Sequence, residues 1–225
     1  MSLVNQLDPS HDSSLGILGG SFNPIHNGHI HIAEKVISLF KLNKILFVPA
    51  HMSPFKNQVQ DLAPVEHRLK MLESALKFRD NLGVDTFEIK KGGTSYTINT
   101  LRYFFKQTKN LYFIMGMDSF LDIGKWYKYE ELFKLSHFIV IPRPDYLKKD
   151  LSSVLPKQFF NKDFSKIHDG EWQHKSGYKV FYSTLEPLRV SASEIRRKIK
   201  NGEDIRNLVP KEVYEYLARN NVYKA

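Results

Sequence analysis

Short apolar runs alternate with amphipathic stretches of about ten to fifteen residues along most of this chain, and that alternation leaves few folds open. Residues 15–18, 44–49, 111–115 and 138–141 are apolar almost throughout, as expected for strands buried on both faces. Between them lie stretches with helical spacing. Ile32, Ala33, Val36, Ile37 and Phe40 mark one over residues 29–40, and Leu69, Leu72, Ala75 and Leu76 mark a second over 65–78. Residues 97–107 form a third, and a helical stretch containing Trp126 and Leu132 follows the strand at 111–115. Residues 84–89 alternate at period two and read as a further strand, with 180–184 as a last one. Strands separated by helices need crossover connections, which cover both faces of a parallel sheet. The expected architecture is α/β, a Rossmann-like doubly wound parallel sheet with helices on both faces and a small C-terminal helical part.

The organisation follows from where that rhythm starts and stops. Residues 1–13 are polar, lack the apolar stretch of a signal peptide, and are expected to be a flexible leader. Residues 14–190 carry the core, and within them 142–178 mix Pro, Lys, Asp and scattered aromatics without a period, as in an elaborated connection. Residues 191–225 form the C-terminal helical part. Ser191-Ala192-Ser193-Glu194 fits a capping box there, and Gly202 is placed to stop the helix. A final helix beginning near Pro210 should bury Val213 and Leu217. The apolar runs at 45–48 and 138–141 are too short to span a bilayer, so no membrane partner is expected, and the chain should be cytoplasmic. The absence of cysteine excludes disulfides, thiolate nucleophiles and Cys-ligated zinc. A net charge of +9 favours anionic ligands, among which nucleic acid and nucleotide phosphates fit equally well.

Two segments carry chemistry. The first, Gly19-Gly20-Ser21-Phe22-Asn23-Pro24-Ile25-His26-Asn27-Gly28-His29, joins the first strand to the first helix. An α/β fold offers free amides and the positive end of a helix to a phosphate at that place. The glycines allow close backbone approach, and Gly28 leaves room between two imidazoles, His26 and His29, that can project the same way. Such a pair can donate hydrogen bonds to phosphate oxygens as charge builds on them. The plainer readings are an ordinary glycine turn, or a metal pair extended by His31, for which no carboxylate stands at helical spacing to complete a set. In the second segment, Val190 to Arg196, Ser191, Ser193 and the free amides of a helix start can hold phosphate oxygens, and Arg196 adds a permanent charge. Taken alone, that segment reads first as a capped surface helix with Arg196, Arg197, Lys198 and Lys200 on its face.

The pair together resembles the nucleotidylyltransferase superfamily. His26-Asn27-Gly28-His29 matches its H-x-G-H element, and Val190-Ser191-Ala192-Ser193-Glu194-Ile195-Arg196 matches its serine-rich turn before an Ile-Arg pair. Within the superfamily the chain looks like the bacterial nicotinate-mononucleotide adenylyltransferases from about Leu15 onward. Ser95-Tyr96-Thr97-Ile98-Asn99-Thr100-Leu101 resembles that family's S-Y-T-x-D-T-L, Gly116-Met117-Asp118-Ser119 its G-x-D-S, and Trp126-Tyr127 its aromatic pair at the nicotinate ring. The resemblance implies that His26, His29 and Arg196 are catalytic. It implies an ATP site of Gly19, Gly20, Ser21, Phe22, Gly28, Asp118, Ser191, Ser193 and Ile195, completed by the C-terminal part. Asn23, Lys56, Thr97, Trp126 and Tyr127 would bind the acceptor, although Trp126 on its own would also suit a core position. The chain departs from the family at Asn99, where Asp is usual, and at Phe55, where His is usual.

The reaction so implied is transfer of the adenylyl group of ATP to nicotinate mononucleotide, giving nicotinate adenine dinucleotide and pyrophosphate in NAD biosynthesis. A phosphate monoester is already anionic near neutral pH, so positioning and charge stabilisation suffice without a strong general base. Mg2+ is expected to be held mainly through the ATP phosphates, with no metal site made by protein side chains. Nicotinamide mononucleotide or another phosphate acceptor is the neighbouring alternative. A basic nucleic-acid-binding protein is the alternative of another class, against which stands the spread of basic residues along the chain with no recognition motif.

Overall fold

The computed structural model describes residues 13–54, 62–142 and 163–224. The expected leader, apart from Ser13, lies outside the described residues, as do Phe55, Lys56 and much of the 142–178 connection. Among the described residues eight strands form one sheet: β1 (Leu15–Gly20), β2 (Lys44–Pro49), β3 (Leu82–Val84), β4 (Leu111–Gly116), β5 (His137–Ile141), β6 (Phe164–His168), β7 (Glu171–His174) and β8 (Lys179–Tyr182). Their order is β3-β2-β1-β4-β5-β8-β7-β6. The first six run parallel, and β7 and β6 add an antiparallel hairpin at one edge. Among the described residues the helices are α1 (Asn27–Phe40), α2 (Val65–Leu76), α3 (Phe87–Lys91), α4 (Thr97–Phe105), α5 (Met117–Leu121), α6 (Tyr129–Leu132), α7 (Ala192–Lys200) and α8 (Lys211–Asn220).

Period-two alternation sorts the strand side chains between two cores. Leu18, Ile114 and Ile139 join Val36, Met71, Leu72, Ile195, Val213 and Leu217, so α1, α2, α7 and α8 share one face of the sheet. Ile17, Phe113 and Phe138 join Ile98, Leu101, Phe104, Phe120 and Leu132 on the other face, under α4, α5 and α6. Burial on both sides is why these strands read as unbroken apolar runs.

Three sequence expectations need correction. Residues 84–89 are not one strand: β3 ends at Val84 and Phe87 opens α3. Asp85 Oδ1 accepts a hydrogen bond from Phe87 N at 2.7 Å, a local turn that redirects the chain and outweighs the alternating pattern. The helical stretch around Trp126 is broken into α5, a 3-10 turn at Ile123–Lys125 and α6, with Trp126 between them. The 142–178 connection contains β6 and β7, whose antiparallel pairing means the sheet is not wholly parallel. β6 is exposed beyond Phe164, and the short β7 buries only Trp172 and His174, so no long apolar run announces them.

In the parallel part, strand order reverses between β1 and β4, and it is at the carboxyl ends of strands flanking such a reversal that open α/β sheets bind ligands.

Candidate active site

The turn leaving β1 is held by its own side chains. Phe22 takes a left-handed backbone (φ 46°), unusual for a bulky residue, and is fixed by burying its ring against Phe47 and edge-on against His29, with centroids 5.4 and 5.1 Å apart. Gly20 admits that ring: a Cβ there would stand 3.3 Å from it. His26 is the N-cap of α1, and its imidazole stacks on that of His29, with centroids 3.7 Å apart and planes at 24°. His26 N donates to His29 Nδ1 at 3.3 Å, so a neutral His29 carries its proton on Nε2, which is then a hydrogen-bond donor. Burial lowers the His26 pKa to about 4, leaving that ring neutral near pH 7, and its buried Nδ1 has no hydrogen-bond partner among the described residues.

The second turn meets the first directly. Ser191 caps α7, its Oγ accepting from Glu194 N at 3.2 Å and lying 3.3 Å from Ser193 Oγ. Ile195 is fully buried and anchors the helix. Arg196 then reaches across, and its Nη1 donates to Asn23 O at 2.8 Å. Asn23 Oδ1 accepts from Ala63 N at 3.0 Å and from Tyr223 OH at 2.5 Å. Asn27 N and Nδ2 donate to Leu208 O and Asn207 O, each at 3.0 Å. Gly28 is the tightest point of the junction, since a Cβ there would stand 3.0 Å from His26 Nδ1 and 3.1 Å from Val190 Cγ1. Two helix starts, two imidazoles and a guanidinium therefore gather at one place, a concentration of donors and positive potential suited to a polyanion.

Gly19 is exposed at the end of β1, and Asp118 is exposed in the first turn of α5, just beyond β4. Thr97 opens α4, at the end of a loop tied to the one after β2. Ser95 N donates to Met52 O at 2.8 Å, His51 N to Ser95 Oγ at 3.0 Å, and His51 Nδ1 to Gly93 O at 3.1 Å. Tyr127 is exposed and packs at 4.9 Å on Tyr96 in that loop. Trp126 is half-buried and meets Phe113 edge-on at 6.3 Å, so part of its ring serves the core while part faces out. Lys56 lies outside the described residues. His31 does not join His26 and His29; its Nε2 donates to Glu186 O at 3.2 Å. Among the described residues no group of three or more His, Cys, Asp or Glu side chains could hold a metal ion, and no helix is long and apolar enough to cross a membrane.

Sequence reasoning missed two buried charged residues beside these loops. Glu88, which burial pushes above the usual carboxylate range, accepts from Thr100 Oγ1 at 2.5 Å beneath the loop leading to Thr97. Arg68, 2% exposed, sits in α2 behind the glycine-rich turn, and its Nη1 donates to Ser21 O at 2.9 Å. A signal for Arg68 existed: it falls on the same helical stripe as Met71, Leu72 and Ala75, where a charged residue needs a partner inside.

Comparison with known proteins identifies the family and the fold. The Cytidylyltransferase-like family profile matches residues 17–198. A protein of Geobacter metallireducens named a probable nicotinate-nucleotide adenylyltransferase is 36% identical over 210 residues, covering 92% of this chain and 97% of its own. One of the same name from Clostridium acetobutylicum is 35% identical over 92% of this chain and 97% of its own. Among solved structures, the nicotinic acid mononucleotide adenylyltransferase of Plasmodium falciparum complexed with NaAD superposes with a TM-score of 0.63 at 18% identity, covering 94% of this chain and 97% of that one. With the fold shared and nearly the whole length aligned at more than a third identity, the chain belongs to the nicotinate-nucleotide adenylyltransferase family of Cytidylyltransferase-like proteins.

Proposed function

We propose that this protein transfers the adenylyl group of ATP to nicotinate mononucleotide, releasing pyrophosphate, and works in the cytoplasm. The observation that carries the reading is the junction of the two turns, where the stacked His26 and His29, the α7 start and Arg196 face the same region. An acceptor phosphate oxygen attacks the α-phosphorus, a new P–O bond forms, and the bond to the bridging oxygen of pyrophosphate breaks with its electron pair leaving on that oxygen. His29 Nε2–H donates to the non-bridging oxygens as they gain charge, with neutral His26 beside it. Ser193, the free amides of α7 and the capped Ser191 hold the β- and γ-phosphates. Arg196 is both a cation at that end and the tie that keeps Asn23 in place. Gly19, Gly20, Ser21, Phe22, Gly28 and Ile195 shape the ATP side, with Asp118 contacting the nucleotide. In this reading residues 191–225 complete the ATP site. Thr97, Trp126, Tyr127, Asn23 and Lys56 serve the acceptor, whose flat pyridinium suits stacking on exposed aromatic faces.

A Mg2+ ion bound with the ATP would neutralise charge on the triphosphate and on the departing pyrophosphate. Such an ion would be held mainly by phosphate oxygens and water. The test is to incubate the protein with ATP and Mg2+ plus nicotinate mononucleotide, nicotinamide mononucleotide or phosphopantetheine, and to separate products chromatographically. Nicotinate adenine dinucleotide and pyrophosphate in equal amounts are expected. Preferred adenylylation of either other acceptor would overturn the substrate assignment, and no pyrophosphate with any of them would overturn the reaction.

A further inference from the structure

Arg68 is the largest fully buried side chain, and among the described residues its hydrogen bonds all go to main-chain carbonyls. Nε donates to Ala63 O at 3.1 Å, Nη1 to Ser21 O at 2.9 Å and Ala50 O at 2.8 Å, and Nη2 reaches His51 O at a weaker 3.4 Å. Those carbonyls belong to three separate segments. Ser21 lies in the turn leaving β1, Ala50 and His51 in the loop leaving β2, and Ala63 just before α2. Each segment leads on to a substrate contact proposed above. The Ser21 turn continues to Asn23 and His26. Ala63 N donates back to Asn23 Oδ1 at 3.0 Å. The His51 loop is bonded to Ser95 and Gly93 and so to the loop that ends at Thr97.

Burying a cation is costly, and an apolar residue of similar volume would fill the space without that cost. What the guanidinium adds is a planar fork that bonds several carbonyls at once at fixed spacing, which the point charge of a lysine cannot reproduce. We propose that Arg68 is a positioning residue for adenylyl transfer, clamping the ATP-side turn and the acceptor-side loop at the separation the in-line attack requires. This rests on the adenylyl-transfer reading. Arg68 itself touches neither substrate; it sets where the groups that do so stand. Reaction rates are steep in this respect, since about 1 Å of misplacement costs on the order of 100-fold.

The experiment compares wild type, Arg68→Lys and Arg68→Ala in steady-state and single-turnover assays, with the folded fraction taken from near-UV circular dichroism. Arg68→Lys is expected to lower kcat per folded molecule by about 100-fold, with KM for ATP and for nicotinate mononucleotide each within about threefold of wild type. A kcat within threefold, a rise confined to KM, or a loss matched by the unfolded fraction would overturn the clamp and leave Arg68 a stabilising residue. Should the lysine variant not fold, Arg68→Ala is assayed with and without ethylguanidinium, a free donor fork able to enter the emptied site. At least tenfold recovery of turnover supports the clamp, and equal turnover with and without the additive refutes it. Wild type is assayed alongside: its failure to turn over would sink the adenylyl-transfer reading and the clamp together, whereas an active wild type with an unaffected Arg68→Lys sinks the clamp alone.

Discussion

Gly28→Ala separates stability from catalysis at the point where the two turns touch. The added Cβ would lie 3.0 Å from His26 Nδ1, 3.1 Å from His26 Cε1 and 3.1 Å from Val190 Cγ1, up to about 0.4 Å short of the 3.4 Å at which ordinary contact begins. Overpacking of this kind costs roughly 1–3 kcal/mol. Against it, replacing glycine by alanine in a helix recovers up to about 1 kcal/mol, less at this second helical position. The net loss should therefore be about 3 kcal/mol or less, a fall in Tm of at most about 12 °C for a chain of this size. Turnover responds differently, because the atoms that must give way are the His26 ring and the residue before Ser191. A shift of a few tenths of an ångström should lower kcat roughly four- to sixfold, on the scale of about 100-fold per ångström. The assay is kcat at 25 °C on protein whose melting curve shows it folded. Gly83→Ala is the control, since a Cβ there is similarly crowded, 3.1 Å from Leu46 and 3.2 Å from Lys44, but lies on β3 away from the junction. The reasoning is refuted if Gly28→Ala keeps kcat within twofold of wild type, or if Gly83→Ala loses as much activity per folded molecule.

Other perturbations test separate links. His29→Ala should reduce kcat by about two to three orders of magnitude, as for loss of an oxyanion donor, while calorimetric ATP affinity changes much less; unchanged turnover would remove His29 from the mechanism. His26, with its pKa lowered from 6.5 to about 4, takes up its proton more readily in the unfolded chain, so its contribution is complete above pH 6.5 and is lost as pH falls towards 4. That contribution is at most about 3 kcal/mol, and urea titrations should show a shallower loss of stability over this window in His26→Gln; parallel slopes would contradict a buried neutral ring. Tyr223→Phe removes the hydroxyl donated to Asn23 and should cost about 1–2 kcal/mol in urea unfolding, together with a raised KM for the acceptor. An unshifted urea midpoint would show that the bond contributes nothing.

Much of this site is legible in one dimension because its parts are local. The Gly19–His29 turn and the Ser191 cap are short-range devices whose residue types state their geometry, and the cap bond from Glu194 N to Ser191 Oγ forms where the sequence places it. Strands buried on both faces are equally plain, and β2 coincides with the apolar run at 44–49. What local pattern does not carry is competition and distance. Alternation at 84–89 loses to a single Asp85 turn, and β6, exposed over nearly its whole length, leaves no apolar period to read. Arg68 could be flagged as a charge on an apolar stripe, but its carbonyl partners at Ser21, Ala50 and Ala63 belong to chain segments that only the folded sheet brings together. Likewise, nothing in the spacing of Asn23 and Tyr223, two hundred residues apart, announces their hydrogen bond.

The central claim is that the histidine turn and the α7 turn grip one triphosphate between them. A crystal structure with a non-hydrolysable ATP analogue and Mg2+ tests it most directly. The account predicts phosphate oxygens within hydrogen-bond distance of His29 Nε2 on one side and of the Ser193 and Arg196 region on the other. A nucleotide bound elsewhere, or phosphates touched by only one of the two turns, would contradict it.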